Sequence, residues 1–131
     1  MKSLITSLTF QDHNAEKAMN FYVALFDNSS VIEVKRWGKG APVEEGRIMQ
    51  ARFELDGKQF MCSDSPAVHD WDFTPAHSQY IDCESEEEFE RLFSALSKNG
   101  NIMMPPANYG FSQKFAWLTD QFGISWQFNL A

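Results

Sequence analysis

Apolar residues along this chain run twice through one order of elements, a strand, a helix and then three strands, and few folds accommodate such a repeat. Residues 4–10, Leu-Ile-Thr-Ser-Leu-Thr-Phe, predict a short strand with Leu4, Leu8 and Phe10 on one face. Asn14 is the right residue type to cap a helix over Ala15–Phe26, in which Ala15, Ala18, Met19, Tyr22 and Phe26 recur at helical spacing. Asp27-Asn28-Ser29-Ser30 ends that helix, Val31–Trp37 predicts a strand, and residues 38–42 predict a loop. Residues 47–55 alternate, with Met49, Ala51, Phe53 and Leu55 on one side, and Asp56-Gly57 predicts a tight hairpin into Gln59–Ser63.

The second pass begins with a strand over His77–Cys83. Ser85 followed by Glu88 has the spacing of a capping box, and Phe89, Leu92, Phe93 and Leu96 form the apolar stripe of the helix it opens. Asn99-Gly100 stops the helix, and residues 101–105, 114–119 and 124–130 predict three strands, the last two joined by the turn Asp120-Gln121-Phe122-Gly123. A shift of 70 places Ser7 on His77, Phe10 on Tyr80, Met19 on Phe89 and Tyr22 on Leu92; a shift of 66 places Gly57 on Gly123, Phe60 on Trp126 and Met61 on Gln127. The expected organisation is one α+β domain over 1–131, built from a βαβββ module at 1–64, an acidic linker at 65–76 and a second module at 77–131.

Composition narrows the function. Eighteen acidic residues against eleven basic give a formal charge of −7, which argues against a nucleic-acid partner. No apolar run approaches the length of a membrane span, and the first residues lack the apolar core of a signal peptide, so a cytoplasmic protein with no membrane partner is expected. Cys62 and Cys83 are too few for a disulfide framework, form no CxxC pair and have no cationic neighbour in sequence to favour a thiolate. The acidic run from Glu84 to Glu90 suits the positive end of a helix dipole.

Two βαβββ modules resemble the vicinal oxygen chelate superfamily, which shares the glyoxalase, bleomycin-resistance and dioxygenase fold. Within it the chain is most similar to the PhnB-like branch, catalogued as 3-demethylubiquinone-9 3-methyltransferase-like. The similarity is carried by Leu8-Thr9-Phe10, Asn14-Ala15-Glu16-Lys17-Ala18, Phe21-Tyr22, Gly57-Lys58-Gln59-Phe60, Ser63-Asp64 and Phe73-Thr74. It is most specific at Trp117-Leu118-Thr119-Asp120-Gln121-Phe122-Gly123-Ile124-Ser125-Trp126-Gln127. The resemblance implies a curved eight-stranded sheet assembly, a homodimer and a cleft inside the sheets. It does not imply methyl transfer, because only Gly38-Lys39-Gly40 clusters among the glycines and no convincing helix follows it, so no nucleotide-binding turn can be placed.

Metal-dependent members of the superfamily take four ligands from the first and last strands of each module. By the internal alignment the matching positions are Ser7, Met61, His77 and Gln127, of which only His77 is a good donor for a divalent ion. The sequence therefore predicts no metal and no cofactor. The faces that line the superfamily's cleft assign Ser7, Thr9, Met61, His77, Gln79, Trp117 and Gln127 as ligand contacts, a neutral set suited to a small polar or amphiphilic molecule, while Trp37, Phe115 and Trp117 offer an apolar wall. Two readings stay open: a metal-free receptor, and a lyase, isomerase or dioxygenase with a variant metal site around His77.

Overall fold

In the computed structural model, which describes residues 1–131, the elements are β1 (Thr6–Phe10), α1 (Ala15–Leu25), β2 (Ser30–Arg36), β3 (Ile48–Leu55), β4 (Lys58–Asp64), β5 (Ser78–Cys83), α2 (Glu86–Ser97), β6 (Asn101–Ala107), β7 (Lys114–Thr119) and β8 (Ser125–Leu130). They form two four-stranded sheets of one topology, ordered β1-β4-β3-β2 and β5-β8-β7-β6. In each, the first and last strands of the module pair in parallel and the other neighbours are antiparallel. The chain divides into two compact units, Met1–Asp70 and Trp71–Ala131. None of its helices is long and apolar enough to cross a membrane.

Each helix covers one face of its own sheet. Helix α1 buries Ala15, Ala18, Met19 and Tyr22 over a face built from Leu8, Phe10, Ala51, Phe53, Leu55, Phe60 and Cys62. The phenyl rings of Phe53 and Phe60, directly opposite one another on β3 and β4, stack at 5.4 Å. Helix α2 buries Phe89, Leu92 and Leu96 over Ala116, Leu118, Trp126, Phe128 and Leu130, with Phe128 at 5.8 Å from both Phe89 and Phe93. At about 1.5–3 kcal/mol for each large side chain removed from water, these two layers supply the main driving force of each unit.

Local signals hold where local chemistry decides. Asp56 and Gly57 have φ of 51° and 78°, the two positive values of a type I′ turn, and Leu55 pairs with Lys58 across it. Ser85 Oγ accepts from the Glu88 N–H at 3.1 Å, while Glu88 Oε1 reaches back to the Glu84 N–H, one residue earlier than a standard capping box. Gly100 is required for room, since a Cβ there would lie 2.4 Å from the carbonyl oxygen of Thr119.

Other expectations are corrected. Leu4 lies outside β1 and is 92% exposed, because the parallel partner strand starts pairing only at Thr6. Asn14 makes no side-chain cap. The Ala15 N–H is instead taken by Asp64 Oδ1 at 3.0 Å, from the far end of β4. Met49 is 42% exposed and Ile48 is buried in its stead: the β2–β3 register passes from Lys35↔Gln50 to Arg36↔Ile48, and this bulge at Met49 reverses the alternation. His77 precedes β5 in a turn and is exposed. Tyr80, aligned by the shift of 70 with the helix-covered Phe10, is instead 57% exposed, whereas Gln79 shares the helix-side face with Ile81 and Cys83.

The last two corrections have one cause. Thr6 pairs with Phe60 in the first unit, and Gln79 with Trp126 in the second. With Phe60 on Trp126, the two first strands are related by 73 positions (79 − 6) rather than 70. An odd error of three carries every side chain of β5 to the opposite face.

Candidate functional site

Away from the helices, each sheet presents a face whose side chains fall into rows across the strands. In the first unit one row runs Ser7, Met61, Arg52 and Glu33 over β1, β4, β3 and β2, and the next begins Thr9, Ser63. In the second unit the corresponding row runs Tyr80, Gln127, Trp117 and Met104 over β5, β8, β7 and β6. The structure thus brings Ser7, Thr9 and Met61 onto one face and Gln127 and Trp117 onto another. His77 lies off its strand, and Gln79 points to the opposite side. The same rows also carry Arg52 and Tyr80, which were not among the sequence-predicted contacts. Arg52 was legible in the alternation of 47–55, while Tyr80 depended on the register of β5.

The second face is the more pinned. The Trp117 indole N–H donates to Ser125 Oγ at 2.9 Å, and Ser78 Oγ lies 2.6 Å from that same oxygen. Beside it, Asn129 Nδ2 donates to Asp82 Oδ1 at 2.8 Å. Phe115, on the same face of β7 as Trp117, meets Phe111 edge-on at 5.0 Å and Tyr109 at 6.2 Å, and the Tyr109 hydroxyl donates to the Pro105 carbonyl at 2.6 Å. Phe111 keeps 63% of its surface in solvent, so this aromatic group stands open. Trp37, by contrast, spends its indole N–H on the Asp64 carbonyl in the first unit.

The four equivalent positions that the resemblance singled out can now be assigned by strand pairing rather than by sequence shift. They are Ser7 with Met61 and Tyr80 with Gln127. A hydroxyl, a thioether, a phenol and an amide do not fit a divalent ion, which takes imidazole, carboxylate or thiolate donors. No group of three or more His, Cys, Asp or Glu side chains is arranged to hold one elsewhere. Of the other histidines, His13 adopts a positive φ of 55° in the β1–α1 turn, where its carbonyl accepts from Arg47, and His69 is exposed.

The cysteines lie on the helix side. Burial pushes the Cys62 thiol up to about 12, with the Asp64 and Glu16 carboxylates adding to the effect. Burial likewise raises Cys83 to about 11, reinforced by Glu88 and Asp82. Neither supplies a nucleophile. Native protein treated with iodoacetamide at mildly alkaline pH should take up no label, and two labels per chain should appear once denaturant is added; rapid native labelling of either thiol would contradict this assignment. The acidic run is also accounted for: Glu86 Oε1 takes the Lys114 ammonium at 2.6 Å, Glu90 takes it too, and the same ammonium lies 4.8 Å from the Phe89 ring centroid.

A polar hollow of about 460 Å³ surrounds the start of α1, lined by His13, Asn14, Glu16, Lys17, Asn20, Arg47 and Asp64. It contains none of the sequence-predicted contacts; of its charges, Glu16 binds Arg36 through both oxygens, Arg47 reaches Glu44 and Asp64 accepts the Ala15 and Ile48 N–H groups. The bond from Arg36 is the main cause holding the Glu16 carboxyl below its usual range.

Comparison with known proteins agrees with the topology. A family model described as 3-demethylubiquinone-9 3-methyltransferase matches residues 2–129. The PhnB protein of Bacillus cereus, which carries the same methyltransferase name, is 45% identical, with 99% of this chain and 100% of that one covered and a TM-score of 0.95. A Pseudomonas aeruginosa protein is 25% identical over 99% of this chain and 98% of its own, with a TM-score of 0.83. The glyoxylase/bleomycin resistance protein/dioxygenase domain from Frankia shares the fold at 15% identity and a TM-score of 0.64, covering 100% of this chain and 92% of its own. No functionally curated protein matches. With its two βαβββ units and a match along nearly its whole length, the chain belongs to the 3-demethylubiquinone-9 3-methyltransferase family, to which the PhnB protein is also assigned by name.

Proposed function

We propose that this chain is a cytoplasmic, metal-free receptor that binds a small polar or amphiphilic molecule as a homodimer. The observation that carries the reading is the donor chemistry at the four register-equivalent positions, Ser7, Met61, Tyr80 and Gln127. By the resemblance these are the positions where a metal ligand would stand, and none has the donor chemistry that a divalent ion prefers. What the strand faces offer instead is hydrogen bonding from Ser7 and Thr9 beside the Met61 thioether in the first unit, and from Gln127 beside the pinned Trp117 ring in the second. Methyl transfer, the activity in the family's name, finds no support in the local backbone. β1 enters α1 through Gln11-Asp12-His13-Asn14, without the glycine that lets a helix start approach a nucleotide.

A dimer is favoured by the sheet edges. β2 exposes Val31 and Ile32, and β6 exposes Ile102 and Met103, each at the rim of a four-stranded sheet. The test is elemental analysis of native protein after dialysis, run beside sedimentation. The expected result is far less than one Fe, Ni, Zn or Mn per chain, and a dimer at micromolar concentration. Near-stoichiometric metal would overturn the receptor reading in favour of a metal enzyme, and a sharp monomer would remove the dimer.

A further inference from the structure

We propose that Arg52 makes the strand face of the first unit an oxyanion-binding surface, so that the ligand taken there carries a carboxylate or phosphate group. This rests on the receptor reading above and adds the charge of what is bound. Arg52 sits midway along β3, an interior strand, and its chain neighbours Ala51 and Phe53 are each 1% exposed beneath α1. Strand alternation therefore turns the side chain to the helix-free face, where the residue as a whole is half-buried.

The other two arginines of the unit are occupied. Arg36 forks onto both oxygens of Glu16 at 2.9 and 2.6 Å, and Arg47 bonds the His13 carbonyl and Glu44. Arg52 forms no such bond. Its register neighbour Glu33 ion-pairs with Lys35 at 3.7 Å, and Glu54, two residues along β3, forms no pair with it. A guanidinium carries five N–H donors and keeps its charge at any pH the protein meets, and here those donors are free to take an acceptor from solution. In the row beside it stand the Met61 thioether and the Ser7 hydroxyl, with Thr9 and Ser63 in the next row, all able to border a bound group without competing for the fork. The formal charge of −7 gives no long-range attraction for anions, so recognition has to come from this one local cation, by a bidentate bond.

Nitrogen-15 NMR of the full chain, reading the Arg52 Nε–H and the amides of Thr9 and Ser63, tests the proposal with three probes: benzoate, inorganic phosphate and the neutral benzamide. Saturable shifts with benzoate or phosphate and none with benzamide support it. Binding should weaken by about tenfold or more in Arg52→Gln and by less in Arg52→Lys, which keeps the charge and loses the fork. Response to benzoate alone assigns a carboxylate, and response to phosphate alone assigns a phosphoryl group. Equal shifts with benzoate and benzamide, unchanged in Arg52→Gln, overturn the anion proposal and leave a receptor for neutral molecules. No shift on this face with any probe overturns it together with the receptor role of the first unit. The two substitutions should leave the thermal melting curve in place, since the side chain holds no partner in the fold.

Discussion

Asp64→Ala should lower the unfolding free energy by about 3 kcal/mol, read as a drop in the denaturation midpoint at unchanged slope. Asp64 is 1% exposed, and its two carboxylate oxygens serve two different elements. Oδ1 accepts the first N–H of α1 at 3.0 Å and Oδ2 accepts the Ile48 N–H at 2.8 Å, at the head of β3. Alanine leaves both donors buried and unbonded, at about 1–3 kcal/mol each, and removes a negative charge from the positive end of the helix. Asparagine keeps the shape but can satisfy only one of the two, because its amide nitrogen presents hydrogens to the other; Asp64→Asn should fall between wild type and alanine. A midpoint unchanged by alanine would mean that water replaces the carboxylate, and the long-range cap would lose its importance.

A loss of similar size, about 3 kcal/mol, is expected for Asp120→Ala in the second unit. Its Oδ1 accepts from the Phe122 N–H at 2.8 Å and the Ile124 N–H at 3.1 Å, and its Oδ2 accepts from the Trp126 indole at 2.8 Å. One side chain thus shapes the turn between β7 and β8 and anchors a ring that is 3% exposed. Because the contact to Trp126 is a charge-assisted hydrogen bond, the indole proton gives a local readout: its NMR resonance should move upfield in the variant, even where the fold survives. An unshifted indole signal would show that the ring does not depend on Asp120. This buried carboxylate also gives physical content to the stretch from Trp117 to Gln127, whose role is in large part to build a turn.

These two carboxylates mark the boundary of what the sequence discloses. Features completed within a few residues, such as the Asp56-Gly57 turn and the Ser85 cap, could be read directly, and so could the order of elements and the apolar stripes of both helices. Features completed by partners far along the chain could not. Asn14 had the right residue type for a cap, yet it makes no side-chain bond, and the helix start is served at the Ala15 N–H from 49 residues away. Alternation alone placed Met49 inside, because a bulge is a property of two paired strands rather than of one. The same limit governed the site. Ser7, Met61 and Gln127 fall at equivalent register positions as the alignment expected, whereas three positions of misalignment gave His77 the register position that Tyr80 occupies. Arg52 passed as an ordinary outward residue until pairing set it between Met61 and Glu33, in the middle of a row.

The two helices, alike in position, should therefore acquire structure in a different order. α2 carries its own start signal, Ser85 and Glu88, and can nucleate from a contact spanning four residues of chain. α1 receives its signal only when β4 has travelled back to lie parallel to β1, a closure of some fifty residues that must be completed before the carboxylate arrives. Duplication of the architecture has not duplicated the folding route: the second half can seed itself early, and the first waits on its most distant strand.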